Sequence, residues 1–229
     1  MRSVYPGRMD TTCSRPVPVR NSGGARLVRC RQCPPCLRAA QRYWAAAAAN
    51  QIRTAHSSGS RSWFGTCTFR REEQETLLIK AMEEFSKSSA DWDALPSIER
   101  FAYLQNQALN EVQKFWKRLR KRGLSFKYIA AFEADQSGKP HMHCLLHESD
   151  PARPIRKREL DVCWSVGFTN WRLLKLSPSG QIPYGAIAYV TKSFAKQHNW
   201  RVCASSNYQP ERQLPKSERP HQLRFVLGK

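Results

Sequence analysis

The 229-residue chain predicts an α+β fold: an antiparallel sheet of the ferredoxin or RRM type, helices on one face, and a cysteine-containing segment ahead of it. Three observations lead there. From residue 63 the periodicities run strand, helical insert, strand, strand, helix, strand, helix, which approximates a split β-α-β unit. The stretch Asp135-Gln-Ser-Gly-Lys-Pro140 has the composition of a hairpin turn between two apolar runs. Apolar content of 41% suits a packed domain and argues against a wholly disordered chain.

Each element has its own warrant. Residues 1–29 read as an irregular basic arm, with Pro6, Pro16, Pro18 and the Gly23–Gly24 pair. The run Leu37 to His56 is Ala-rich and predicts a long helix packed on the core. Trp63 to Phe69 mixes aromatic and β-branched residues and predicts a strand. Glu72 to Ser86 carries acids in its first turn, where the helix dipole favours them. Ser97 to about Arg122 repeats Ile98, Phe101, Leu104, Ala108, Val112, Phe115 and Leu119 at steps of three or four, and Gly123 suits its stop. Ser125–Phe132 and Met142–His147 are the paired strands, Arg156–Val166 a short helix, Phe168–Leu176 a strand and Tyr184–Gln197 a helix. The expected division is a basic arm at 1–29, a Cys-rich segment and helix at 30–62, a catalytic domain at 63–203 and a polar basic tail at 204–229.

The formal net charge is +20, from 38 Lys and Arg against 18 Asp and Glu. A polyanion is the natural partner for such a chain. The charge is uneven: residues 1–71 hold 13 Arg and the single acid Asp10, residues 72–161 are neutral with 15 charges of each sign, and residues 162–229 carry +8. The apolar run Trp44–Ala49 falls far short of the ~20 residues a spanning helix needs. A membrane partner is therefore not expected.

Eight cysteines are scattered through the chain, three of them bunched as Cys30-x2-Cys33-x2-Cys36. That pattern fits a reducing cytoplasm and a metal site better than a disulfide framework. The fourth cysteine of an iron–sulfur run is replaced by Ala40. A structural Zn2+ is the remaining metal reading, with Cys13 or His56 as fourth ligand.

The sharpest local signal is Gly138-Lys-Pro-His-Met-His-Cys-Leu-Leu146. In a strand, His141 and His143 point to the same face, and the hairpin brings Glu133 beside them. Two imidazoles and a carboxylate can hold a divalent ion with positions left open for substrate. The second signal is Tyr189-Val-Thr-Lys192-Ser193, with Lys196 beyond it. On one helical face, Lys192 can stabilise charge on a tyrosine nucleophile or on a phosphate. The stretch Lys114-Phe-Trp-Lys117-Arg118-Leu-Arg120-Lys121-Arg122 suits phosphate contacts. Trp171, Trp200 and Tyr208 are candidate base-stacking residues.

These motifs resemble those of HUH-type rolling-circle replication initiation endonucleases, and most closely the replication proteins of microvirus-type single-stranded DNA phages. Phe64-Gly-Thr-Cys-Thr-Phe69 is similar to the first motif, His141-Met-His143 to the H-U-H motif, and Tyr189-Val-Thr-Lys192 to the tyrosine motif. The resemblance spans about residues 28–200. It implies Mg2+ or Mn2+ on His141, His143 and Glu133, attack by Tyr189 on single-stranded DNA at an origin, a 5′-phosphotyrosine intermediate and a 3′-OH that primes replication. Relatives with two tyrosines carry the second four residues on; Ser193 stands there, so a single-tyrosine mechanism is expected, in a monomer or homodimer. With no P-loop in the sequence, a host helicase and polymerase are expected partners. The competing readings are a plasmid initiator or transposase of the same class, and a non-catalytic zinc-stabilised nucleic-acid-binding protein.

Overall fold

The computed structural model describes residues 13–21, 24–86, 91–177, 179–196 and 202–208. The expected tail from residue 209, the first 12 residues of the arm, and Trp200, His198 and His221 lie outside the described residues.

The chain forms strands β1 (Val17–Asn21) and β2 (Gly24–Val28), then helix α1 (Pro34–Ser57). β3 (Ser62–Phe69) follows, with α2 (Arg71–Phe85) and α3 (Ser97–Lys121) before β4 (Phe126–Ala134) and β5 (Pro140–Glu148). After them come α4 (Lys157–Cys163), β6 (Gly167–Leu174), α5 (Tyr184–Thr191), α6 (Ser193–Lys196) and β7 (Cys203–Ala204).

The main sheet has the order β6-β3-β5-β4-β7, and all its pairings are antiparallel. β5 inserts between β3 and β4, the two strands that the α2–α3 connection joins, so the split β-α-β expectation holds. Three details differ. Residues 17–28 form a hairpin rather than an irregular arm; Pro18 is tolerated because a two-stranded ribbon is all edge. Helices cover both faces of the sheet rather than one. The body also reaches past residue 203, because β7 ends at Ala204 and Tyr208 is buried.

One face carries Trp63, Cys67, Phe69, Tyr128, Phe132, Met142, Cys144 and Leu146. These pack on Phe101, Val112, Phe115, Trp116 and Leu119 of α3 and on Leu160 and Cys163 of α4. The α3 pattern is therefore a core stripe as expected, except that Ile98 is exposed. The opposite face carries Phe64, Ile129, Ala131 and Leu145, covered by Trp44, Ala47, Ala48 and Ile52 of α1 and by Ile187, Val190 and Phe194.

Three local features hold the sheet in register. At the β4–β5 turn, Asp135 Oδ1 accepts from Ser137 N at 2.8 Å and Lys139 N at 2.9 Å, and Gly138 takes φ +78°. A side chain is strained there, and glycine is not. Gly65 lets the Trp171 ring cross β3, because a Cβ at that position would run into the six-membered ring of the indole. Buried Glu148 accepts from Arg61 Nη2 at 2.9 Å, Trp63 Nε1 at 2.9 Å and Ile155 N at 3.1 Å, tying β5 to β3 and to the segment before α4.

Candidate active site

The register places the expected residues in two rows across the sheet. One row is Phe168, Thr68, His141 and Glu133; the next is Asn170, Thr66, His143 and Ala131. Directly paired residues share a face, so the imidazoles, the Glu133 carboxylate and Thr66 all lie on the face that α1 and α5 partly cover.

Glu133, His141 and His143 come together with their ligand atoms within 4.8 Å of one another. Glu133 Oε2 lies 3.5 Å from His143 Nε2 and 3.9 Å from His141 Nε2. His143 Nδ1 is hydrogen-bonded to Thr66 Oγ1 at 3.0 Å. Its Nε2 is buried and has no hydrogen-bond partner among the described residues. A buried nitrogen left open beside a carboxylate is the arrangement a metal ligand needs. Burial holds the His141 imidazole below its usual range, and burial together with the neighbouring His141 brings His143 down to about 4. Both rings are therefore neutral at pH 7 and present lone pairs to a cation. The donor set fits a divalent ion.

α5 brings Tyr189 to the same place. Its ring meets the His143 ring edge-on at 4.6 Å between centroids and that of Phe64 at 5.9 Å, while 43% of the residue stays exposed. Lys192 Nζ sits 3.6 Å from the Tyr189 ring centroid and 3.0 Å from Glu133 Oε2. A cation thus bridges the tyrosine and the carboxylate. The helix expected over 184–197 breaks at Lys192, which ends α5 before α6 begins. This changes which residues share the site. Ser193 turns inward, with Oγ donating to Val190 O at 3.3 Å, so it does not share the Tyr189 face. Lys196 ends α6, and its side chain lies outside the described residues.

The basic stretch is not brought to this site. Lys114, Lys117, Arg118, Arg120, Lys121 and Arg122 belong to α3 and its C-cap, on the far side of the sheet. Lys114 pairs with Glu111 at 2.7 Å, and the Arg120 guanidinium lies over Phe126 at 5.1 Å. Arg122 joins Arg153, Arg156 and Arg158 around an open groove of about 650 Å3. Of the candidate stacking aromatics, Trp171 and Tyr208 are core residues. Tyr208 Oη is instead hydrogen-bonded to His147 Nε2 at 2.9 Å.

Sequence reasoning missed Thr66, Phe168 and Arg172. Thr66 stands inside the first motif, but its pairing with His143 needs the β3–β5 register. Phe168 is 70% exposed on the edge strand, two strand spacings or about 10 Å from His141. Arg172 lies with its guanidinium 5.2 Å from the Phe64 ring centroid. An exposed phenyl and a cation beside a phosphate-scale site are what a single strand needs.

Residues 99–198 match a family model described as replication-associated protein, ORF2 type. The matched stretch runs from the first turn of α3 beyond α6 and contains Glu133, His141, His143, Tyr189 and Lys192. It supports a replication-associated protein with a part in starting replication, and with it an interaction with nucleic acid. No curated protein and no solved structure matches the chain. No helix among the described residues is long and apolar enough to cross a membrane.

Proposed function

We propose that this chain nicks and rejoins single-stranded DNA at a replication origin, as an HUH-type, single-tyrosine endonuclease that starts rolling-circle replication of the microvirus kind. One observation carries the reading: an exposed tyrosine lies against a buried His143 whose open nitrogen faces Glu133 and His141.

Glu133, His141 and His143 would hold Mg2+ or Mn2+, which when bound supplies Lewis-acid polarisation of a phosphate oxygen. The chain's own residues do the rest. Tyr189 Oη attacks the scissile phosphorus, the bond from phosphorus to the 3′ oxygen breaks, and the phenolic proton ends on the released 3′-OH. The product is a 5′-phosphotyrosine and a primer end, with no water consumed. Attack by a 3′-OH on the phosphotyrosine reverses the step and reseals the strand. Lys192 lies against the Tyr189 ring, where it favours phenolate character as the oxygen is deprotonated. Phe168 and Arg172 continue the same face outward and supply a stacking surface and a phosphate contact. A host helicase, a host polymerase and the host cytoplasm complete the reading. Termination with one tyrosine calls on a second protomer or another nucleophile.

The test is incubation of the full chain with a pool of single-stranded oligonucleotides and Mn2+, followed by mapping of the DNA-linked peptide. A covalent adduct on Tyr189, lost in Tyr189→Phe with DNA binding retained, is the expected result. An adduct on another residue, or a fully active Tyr189→Phe, overturns the assignment. DNA binding with no adduct under any divalent metal would leave the non-catalytic binding reading.

A further inference from the structure

The cysteines at the N-terminal side form a cluster that the strand-transfer reading does not use. Cys13, Cys30, Cys33 and Cys36 have all four sulfurs within 4.8 Å of one another. The Cys13–Cys30 sulfurs are 3.7 Å apart and the Cys33–Cys13 sulfurs 3.9 Å. Both separations far exceed the ~2.05 Å of a disulfide. A tetrahedral ion with zinc–sulfur bonds of about 2.3 Å requires sulfurs about 3.8 Å apart.

The backbone is shaped for the same purpose. Arg31 takes φ +62°, alone in that region among the described residues that are not glycine. That turn directs Gln32 N and Cys33 N at Cys30 Sγ, at 3.5 and 3.3 Å, while Cys30 N donates to Cys13 Sγ at 3.4 Å. A left-handed non-glycine residue costs of order 1 kcal/mol or more and persists where its surroundings demand it. Amide N–H groups converging on sulfur are the donors that a thiolate wants. His56, the other candidate fourth ligand, is exposed at the far end of α1, some 30 Å from Cys36 along the helix.

We propose that Cys13, Cys30, Cys33 and Cys36 bind one structural Zn2+ that fastens the β1–β2 hairpin to the N-terminus of α1. Four thiols lose four protons and the centre carries a net charge of −2, set within a stretch whose formal charge is +12. The hairpin needs such a fastening: Val17, Val19 and Leu27 are exposed, and a lone two-stranded ribbon has little stability of its own. Four sulfurs select zinc, whereas the nitrogen and oxygen donors of Glu133, His141 and His143 suit a harder ion. The two sites are therefore chemically separate, and the zinc site does not depend on the strand-transfer reading.

The test uses the full chain, refolded or expressed with zinc under reducing conditions, and measures metal content and susceptibility to trypsin. About one zinc per chain is expected. It should persist in the double variant His141→Ala, His143→Ala and in Cys203→Ser, and be lost in Cys30→Ser and Cys36→Ser. Because those cysteine variants can misfold, the wild-type chain is also loaded with Co2+, where thiolate-to-cobalt charge-transfer bands with a tetrahedral pattern are expected. Stripping the metal should expose the hairpin to cleavage at Arg20 and Arg29 while the sheet domain stays intact. The proposal is overturned by substoichiometric zinc in the wild-type chain after loading, by iron in its place, by a cobalt spectrum without thiolate bands, or by zinc that survives both cysteine changes.

Discussion

Thr66→Val isolates the one hydrogen bond that orients the buried imidazole. Valine keeps the size and branching of threonine, so β3 should pair as before. What is lost is the 3.0 Å contact between Thr66 Oγ1 and His143 Nδ1. With Nε2 facing Glu133, the Nδ1–H donates to Thr66, and that bond fixes both tautomer and ring direction. Loss of such a support lowers metal affinity roughly 10- to 100-fold, or about 1.4–2.7 kcal/mol. Phe64 lies nearly parallel to the His143 ring at 6.2 Å and Tyr189 meets it edge-on, so packing still confines the ring. The lower half of that range is therefore expected. The assay is adduct formation on a single-stranded oligonucleotide across a Mn2+ titration. Half-saturating Mn2+ should rise about tenfold while the rate at saturation changes little, and Thr66→Ser should restore it. A folded Thr66→Val with an unchanged Mn2+ requirement would refute the role of Thr66 and the assignment of His143 as a ligand through Nε2.

Three further outcomes are expected. Phe168→Ala removes an exposed ring from the strand's path and should weaken single-stranded DNA binding roughly 5- to 150-fold, from about 1–3 kcal/mol per stacked base; fluorescence anisotropy measures it, Phe168→Trp should recover it, and unchanged affinity would remove Phe168 from the path. Gly65→Ala drives a Cβ into the buried Trp171 ring and should cost about 3 kcal/mol or more, read by urea denaturation; a loss below about 1 kcal/mol would mean that the ring yields freely. Burial holds His147, which is hydrogen-bonded to Ser62 and Tyr208, at a pKa of about 3. The unfolded chain takes up that proton near pH 6.5 and the folded chain does not, so stability is full above that pH and falls by about 1.4 kcal/mol per unit as pH drops toward 3. Between pH 7 and pH 5 the wild-type chain should lose about 2 kcal/mol more than His147→Gln, and equal losses would show that His147 charges within the fold.

What can be read from the sequence depends on how local the determinant is. Glu133, His141 and His143 are readable because one turn sets their register. Asp135 and Gly138 are both visible in the sequence, and period-2 geometry does the rest. Tyr189 and Lys192 are readable as neighbours on a helix, but the break at Lys192 is not, because the inward turn of Ser193 is decided by packing around Phe194. The side of the sheet on which α3 lies is unreadable for a different reason. Its stripe at three- and four-residue steps shows which helix face is buried, and says nothing of which sheet face buries it. Lys117 and Arg118 therefore read as part of the DNA-holding surround of the histidines and sit across the sheet from them. The hairpin at 17–28 is hidden by Pro16 and Pro18, which lower strand propensity without forbidding an edge.

The position of the site in the core explains how one small region can hold both a dry metal set and an accessible nucleophile. α1, α5 and α6 cover β5 and β4, and their coverage thins toward β6. Along the His143 row the environment passes from buried Ala131, through His143 with its side chain 6% exposed, to half-buried Thr66 and exposed Asn170. The inner end has a low effective dielectric, which keeps the imidazoles neutral and strengthens the attraction of Glu133 for a cation. The outer end admits a phosphate and its flanking bases. Tyr189 stands at the boundary, touching His143 on one side and solvent on the other. A helix shifted one turn toward β6 would bury the phenol, and one shifted toward β7 would leave His143 exposed and charged at mildly acidic pH. The register of β3, β5 and β6 and the placement of α5 therefore have to be right together, which is why a change at Gly65, remote from the chemistry, should reach the site through the strand that carries Thr66.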